Sequence, residues 1–157
     1  MKLLFICTHN RCRSILAEVI ANALSDKGLQ AYSAGSSPQE NVHPLTTKYL
    51  SRHGFDTQNL RSQSWDDFEN LDPQAVITLC DSAASETCPV WFGDRVQVHW
   101  GLEDPSSSSY SEAEHDEKFN ATIGLLRRRM DALVAGDNLS LRGSSLERLL
   151  LDIAKLY

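Results

Sequence analysis

The apolar positions of this chain alternate between short continuous runs and stripes of helical period. Leu3-Leu4-Phe5-Ile6 is wholly apolar over one strand length, as in a strand buried on both faces. Ile15, Leu16, Val19, Ile20, Ala23 and Leu24 then recur at helical spacing before Gly28. The pattern predicts a strand over 2–6 and a helix over 13–26. Residues 29–33 read as a second short strand, followed by a loop at Ala34-Gly35-Ser36-Ser37-Pro38. Pro44 near the start and Gly54 just past the end delimit a helix over 44–53. Residues 60–70 are mostly polar, with Trp65 and Phe68 among them, and read as a loop with a short helix. Ala75-Val76-Ile77-Thr78-Leu79 is another buried strand, and Val96, Val98 and Trp100 alternate with Gln97 and His99 to give a strand near 95–99. A long helix over 111–135 carries Phe119, Ile123, Leu126, Met130 and Leu133 on its apolar face. Arg127-Arg128-Arg129 reads as its wet face.

Strands separated by helices predict an α/β fold: one domain of three layers, α/β/α, around a four-stranded parallel sheet with right-handed crossovers. In such sheets the site lies beyond the carboxyl ends of the strands. Cys7 after the first strand, Cys80 after the third and Asp104 a few residues after the fourth all fall there. Asp137-Asn138 breaks the long helix, and Leu146, Leu149, Leu150 and Ile153 form a second apolar stripe. Residues 1–137 are therefore expected to form the domain, with 138–157 an added C-terminal helix packed on it. That use of the stripe favours a monomer over a dimer. Ser106 to Ser109 is the one biased segment and reads as a flexible loop.

A chain of 157 residues with 41% hydrophobic and 23% charged residues suits one soluble domain. The net charge of −6 gives no electrostatic support for a nucleic-acid role, so any anion site must be local. No stretch approaches a membrane span, and the apolar run before Cys7 is too short for a signal segment. A cytoplasmic protein is expected. The four cysteines, Cys7, Cys12, Cys80 and Cys88, contain no Cys-x2-Cys pair, and the histidines complete no zinc pattern. In a reducing compartment they serve packing or thiol chemistry, and no bound metal is expected.

Candidate chemistry concentrates in Cys7-Thr8-His9-Asn10-Arg11-Cys12-Arg13-Ser14, between the first strand and the first helix. Cys7 and Arg13 bracket five residues. A loop in this place can aim several backbone N–H groups at a tetrahedral anion beside the positive end of a helix. The same field favours the thiolate of Cys7, so one loop binds an oxyanion and supplies a nucleophile. Thr8, His9, Asn10, Arg11, Cys12, Arg13 and Ser14 are the candidate oxyanion-binding residues. The planar fork of Arg13 suits two oxygens of a dianion. Asn10 and Ser14 are expected to hold the loop by side-chain hydrogen bonds, His9 and Arg11 to lie on its rim, and Cys12 to pack. His43, near a helix start, reads as structural.

This loop, Ser33-Ala34-Gly35, Val42-His43-Pro44, the pair Cys80 and Cys88-Pro89, and His99-Trp100-Gly101-Leu102-Glu103-Asp104-Pro105 together resemble the arsenate reductases built on the low-molecular-weight protein tyrosine phosphatase fold. The resemblance runs from Lys2 to about Ala135. Phosphatases share the loop; the downstream cysteine pair is what resembles the reductases. The resemblance implies that Cys7 attacks arsenate while Arg13 and the loop hold its oxygens. Asp104 gives a proton to the departing oxygen. Cys80 then attacks Cys7, releasing arsenite, and Cys88 takes over the disulfide. A thioredoxin or a glutathione/glutaredoxin donor restores the thiols. Asp104 must be protonated for its step, so neighbouring negative charge would have to raise its pKa. Arsenic(V) must accept two electrons, which a thiol pair gives by becoming a disulfide and a serine could not.

The cysteine pair stands one residue further apart than in the thioredoxin-dependent relatives. Some of those relatives also carry a potassium site on an Asn, a Glu, a Ser and an Asp. Asn10, Glu18 and Ser33 match, whereas the Asp position falls on Gln63 or Ser64, so that ligand set is incomplete here. With Cys80 and Cys88 incidental, Cys7, Arg13 and Asp104 would instead make a phosphatase of phosphotyrosine or small esters. A third alternative is a non-catalytic redox switch.

Overall fold

The computed structural model describes residues 1–156, Ser25 by its backbone alone. The elements run β1 Lys2–Ile6, α1 Arg13–Asn22, β2 Gln30–Ala34, α2 Pro44–Arg52, β3 Ala75–Thr78, α3 Asp81–Ser85, β4 Val96–His99, α4 Glu112–Val134 and α5 Gly143–Ala154, with short 3-10 turns between them. The four strands are parallel in the order β2-β1-β3-β4. Strand pleating sorts the continuous apolar run of β1. Leu3 and Phe5 join a large core with α1, α2, α4 and α5, while Leu4 and Ile6 join a smaller one with Val76, Cys80, Ala83 and Phe92. The expected three layers are present, but unequal. One face carries long helices; the other carries only the five residues of α3 and 3-10 turns.

α1 is shorter than its apolar stripe predicts and ends at Asn22 rather than 26. The Asn22 amide explains the stop. It donates to the Ala31 carbonyl at 2.9 Å and accepts from the Ala31 N–H at 2.8 Å, tying the helix end to β2. A 3-10 turn over Ser25–Lys27 follows.

α4 starts on a Ser111 cap reciprocated by Glu114, and its predicted face of Phe119, Ile123, Leu126, Met130 and Leu133 is wholly buried. The arginine run departs from expectation. Arg127 and Arg128 are exposed, but Arg129 is only 4% accessible. Its guanidinium donates to the carbonyls of Trp100 at 3.2 Å and Ala154 at 2.9 Å and lies over the Trp100 ring. Position 129 stands three after Leu126 and four before Leu133, so helical period turns it inward. Arg129 therefore ties the end of α5 to the end of β4. The Trp100 indole adds a bond to the Leu150 carbonyl at 2.9 Å. Leu146, Leu150 and Ile153 of α5 are buried in the large core.

Candidate active site

The register pairs Ile6 with Thr78 and Thr78 with His99, so β1, β3 and β4 end level with one another. Beyond that edge lies a cavity of about 310 Å³ lined by Cys7, Thr8, His9, Arg11, Cys12, Arg13, Ser82 and Asp104. Five of the seven residues expected to cradle an oxyanion line it. Asn10 and Ser14 do not; both side chains are fully buried behind the loop.

The loop's carbonyls are drawn outward. Ser37 N–H donates to Thr8 O at 2.9 Å, Gln39 N–H to His9 O at 3.1 Å and His43 N–H to Arg11 O at 2.9 Å. The hydroxyls of Ser62 and Thr46 add bonds to His9 O and Arg11 O. Among the described residues, no protein acceptor takes the backbone N–H groups of Thr8 through Ser14. A peptide whose carbonyl points out points its N–H in, so these donors are available to an anion in the cavity. The Ser33-Ala34-Gly35 and His43-Pro44 motifs thus have a physical reason. A Cβ on Gly35 would stand 2.6 Å from Thr8 O, so only glycine lets β2 run this close beneath the loop. His43 caps α2 through a ring nitrogen that accepts from Leu45 N–H at 3.2 Å. Burial and the Arg11 charge lower its pKa, which keeps that nitrogen an acceptor.

Asn10 is the hub behind the loop. It holds a left-handed φ of 43°. Its Oδ1 accepts from Gln63 N–H at 2.7 Å, which fixes the amide's orientation. Its Nδ2 then donates to Ser14 Oγ at 2.8 Å and Ser33 Oγ at 2.9 Å. With Asn10 donating into Ser14 Oγ, the Ser14 hydrogen is free for the Cys7 sulfur 2.9 Å away. That is the polarity a thiolate needs. Ser33 spends its hydrogen on Glu18 at 2.5 Å. Burial raises the Glu18 pKa. Gln63, where a potassium site would want a carboxylate, instead donates its side-chain amide to Ser33 O at 3.4 Å. Asn10, Glu18 and Ser33 are therefore engaged with one another. Among the described residues, no three His, Cys, Asp or Glu side chains gather as a metal site.

Arg13 is held by the segment after β4. Its Nη1 donates to Leu102 O at 3.0 Å, and its Nη2 stands 3.5 Å from Asp104 Oδ2. Asp104 also accepts from Ser106 N–H at 3.0 Å and Ser106 Oγ at 2.7 Å. Burial alone would raise its pKa, but the Ser106 bonds with Arg13 and Arg11 outweigh it and hold the carboxyl below the usual range. The raised pKa expected of a proton donor is thus not a property of the free protein. Cys12 lies 3% accessible against the cavity, and burial pushes its thiol up to about 12. It stays protonated near neutrality and suits packing.

Cys80 is 3% accessible, in the same small core as Cys7. Its sulfur lies 3.6 Å from Thr8 Oγ1, one residue from the proposed nucleophile, and accepts from Ala83 N–H at 3.4 Å. Cys88 is exposed, beyond the end of α3. Four participants escape sequence reasoning: Ser82 on the cavity wall, Ser106 on Asp104, Leu102 O on Arg13, and Glu86, whose Oε1 accepts from Thr8 Oγ1 at 3.2 Å. Only Ser106, two residues after Asp104, carries a local signal, that of an Asx turn.

The family profile of low molecular weight phosphotyrosine protein phosphatase matches residues 2–144. The chain belongs to this family. Its arsenate reductase-like character comes from particular relatives. The arsenate reductase of Staphylococcus xylosus is 34% identical over 108 residues, spanning 69% of this chain and 81% of that one. The glutaredoxin arsenate reductase of Synechocystis sp. is 29% identical over 134 residues, covering 85% and 96%. A solved arsenate reductase in the phosphate binding state superposes with a TM-score of 0.69 at 28% identity, covering 85% of this chain and 96% of the other. The matched range takes in the loop Cys7–Ser14. The features that set the chain apart from the loop alone are the two sulfurs past β3, one buried beside the loop and one at the surface.

Proposed function

We propose that the protein reduces arsenate to arsenite through Cys7, Cys80 and Cys88. The observation that carries this is the burial of Cys7 and Cys80 in one small cluster, with a single loop hydroxyl touching the second sulfur. Arsenate enters the cavity between the inward N–H groups and Arg13. The Cys7 thiolate, supported by Ser14, attacks arsenic. The arriving anion competes with Asp104 for Arg13 and adds negative charge beside it. Both changes raise the Asp104 pKa, so this carboxyl takes up its proton with the substrate and passes it to the departing oxygen. Cys80 attacks the Cys7 sulfur, the arsenic keeps the electron pair of the broken S–As bond, and arsenite leaves. Cys88 then attacks Cys80, which delivers the disulfide to the surface for an external donor of the thioredoxin or glutaredoxin class. Cys80 caps α3 and Cys88 lies beyond its other end; a disulfide needs Cα atoms within about 7 Å, so the proposed relay has α3 unwind as the bond moves outward.

The relay suits a reducing compartment, the cytoplasm. It needs no resident cofactor. α5 spends its apolar stripe inside its own chain as an addition packed on the domain, which supports a monomer. The alternative is hydrolysis of phosphotyrosine or a small ester by Cys7, Arg13 and Asp104 alone, for which the shared loop suffices. Counting free thiols after incubation of the reduced protein with arsenate separates the two. A reductase loses two thiols per arsenite formed; a phosphatase loses none and turns over an aryl phosphate. Cys88→Ser should stop at a Cys7–Cys80 disulfide after one turnover. Sustained turnover of that variant with a protein donor would remove Cys88 from the mechanism.

A further inference from the structure

Thr8 Oγ1 makes two contacts, and together they set a direction. The hydroxyl donates to Glu86 Oε1 at 3.2 Å. A hydroxyl has one hydrogen, so the 3.6 Å contact with Cys80 must run the other way, with the thiol donating to the oxygen. The chain of atoms is Cys80 S–H to Thr8 O–H to the Glu86 carboxylate. It begins at the sulfur that must become a nucleophile and ends at a base. Cys80 is buried, out of reach of bulk water, while Glu86 is half-buried at the mouth of the segment.

We propose that Glu86 accepts the Cys80 thiol proton through the Thr8 hydroxyl, so that Cys80 attacks as a thiolate. This rests on the relay proposed above. The step balances. Thr8 oxygen gains the sulfur's proton and gives its own to the carboxylate, leaving Cys80 as thiolate and Glu86 as carboxylic acid. The thiolate forms the S–S bond to Cys7 as the S–As bond breaks, and its electron pair reduces arsenic(V) to arsenic(III). Glu86 returns its proton to solvent when the segment carrying it swings away. Thr8 touches the reacting sulfur; Glu86 is a positioning residue that acts through it. The arrangement also times the chemistry, because the base sits on the same segment as Cys80 and leaves with it.

The test is single-turnover thiol loss on arsenate in a Cys88→Ser background, followed across pH 6–9 with and without Glu86→Gln. At pH 7 the Glu86→Gln variant should be slower by on the order of a hundredfold, as for loss of a proton acceptor. Its rate should climb with pH as hydroxide takes over and meet the parent rate above the ordinary thiol range of about 8.5. Glu86→Asp should recover most of the neutral rate. A Glu86→Gln profile within twofold of the parent across the whole range overturns the proton path while leaving the relay intact. So does a slowing that persists unchanged at high pH, which would mark a structural role. A parent that consumes arsenate-dependent thiols not at all overturns the relay and the proton path together.

Discussion

The loop of residues 8–14 and the segment of residues 80–90 face each other across one cavity, yet they are built in opposite ways. The loop is tied from outside through nearly every carbonyl, backed by the Asn10 hub, and underlain by a glycine that leaves no spare room. The segment hangs on few ties. Cys80 caps a helix of five residues in which Ala83 is the one buried side chain. His99 bridges Thr78 Oγ1 at 2.9 Å and Asp81 at 3.1 Å, Glu86 reaches Thr8, and Cys88 and Val90 stand in solvent. Donors aimed at developing charge are useful only if they do not move. In the proposed relay a sulfur travels from core to surface, which needs a backbone that opens at low cost. The contrast is the one the proposed relay requires.

The largest effect should come from breaking the hub. Asn10→Ala leaves the Gln63 N–H and the Ser14 and Ser33 hydroxyls short of a partner and puts alanine at a positive φ. The expected cost is about 2–4 kcal/mol, a fall in melting temperature on the order of 5–15 °C. Thermal unfolding checks it, and a change below 2 °C would mean the loop does not depend on Asn10. Next is Gly35→Ala, whose Cβ meets a backbone carbonyl at 2.6 Å. It should cost about 1–3 kcal/mol and weaken oxyanion binding as the loop shifts, read by inhibition with inorganic phosphate.

The difference in tethering predicts a redox signature. On conversion to the Cys80–Cys88 disulfide, amide exchange over 81–89 should speed up by at least about tenfold, whereas the loop should change little. Equal protection of the segment in both redox states would refute the unwinding of α3.

A smaller effect follows from Asp104. Its folded pKa lies below the ordinary 3.8, so its contribution to stability is full above that value and is lost as pH falls through the folded pKa. Asp104→Asn should therefore be less stable than the parent above pH 5, and the gap should close in acid. A gap that widens in acid would reverse the sign. Inorganic phosphate, by occupying Arg13, should move the Asp104 carboxyl titration upward in an NMR experiment.

The tightly tied half of the site was far more legible in sequence than the loosely tied half, for a physical reason. Cys7-x5-Arg13, the flanking strand and helix, Gly35 and the four strands each obey local rules of spacing, period and turn geometry. β1 falls at 2–6 as predicted, and the other strands lie within a residue of their expected bounds. What was missed depends on partners distant in sequence. Asn22 ends α1 because it bonds Ala31 across the turn to β2. Glu86 finds Thr8 from 78 residues away, and Asp104 finds Arg13 across the cavity. That pairing reverses the pKa shift inferred from the mechanism alone. Arg129 is the exception, since helical period places it inside and only the habit of reading arginines as solvated hides it.

The smallest perturbation sharpens the comparison most. Ala84 is exposed in α3, and Ala84→Gly touches neither sulfur nor the core. Glycine in a helix costs about 1 kcal/mol relative to alanine, enough to raise local opening roughly fivefold. The global melting temperature should scarcely move, because α3 is too short and too exposed to carry the fold. If unwinding limits transfer of the disulfide from Cys80 to Cys88, that transfer should quicken by the same factor while formation of the Cys7–Cys80 bond does not. A variant that melts several degrees lower would show α3 to be part of the rigid body. One whose transfer rate is unchanged would place the limiting step elsewhere, in the sulfur chemistry and not in the backbone that carries it.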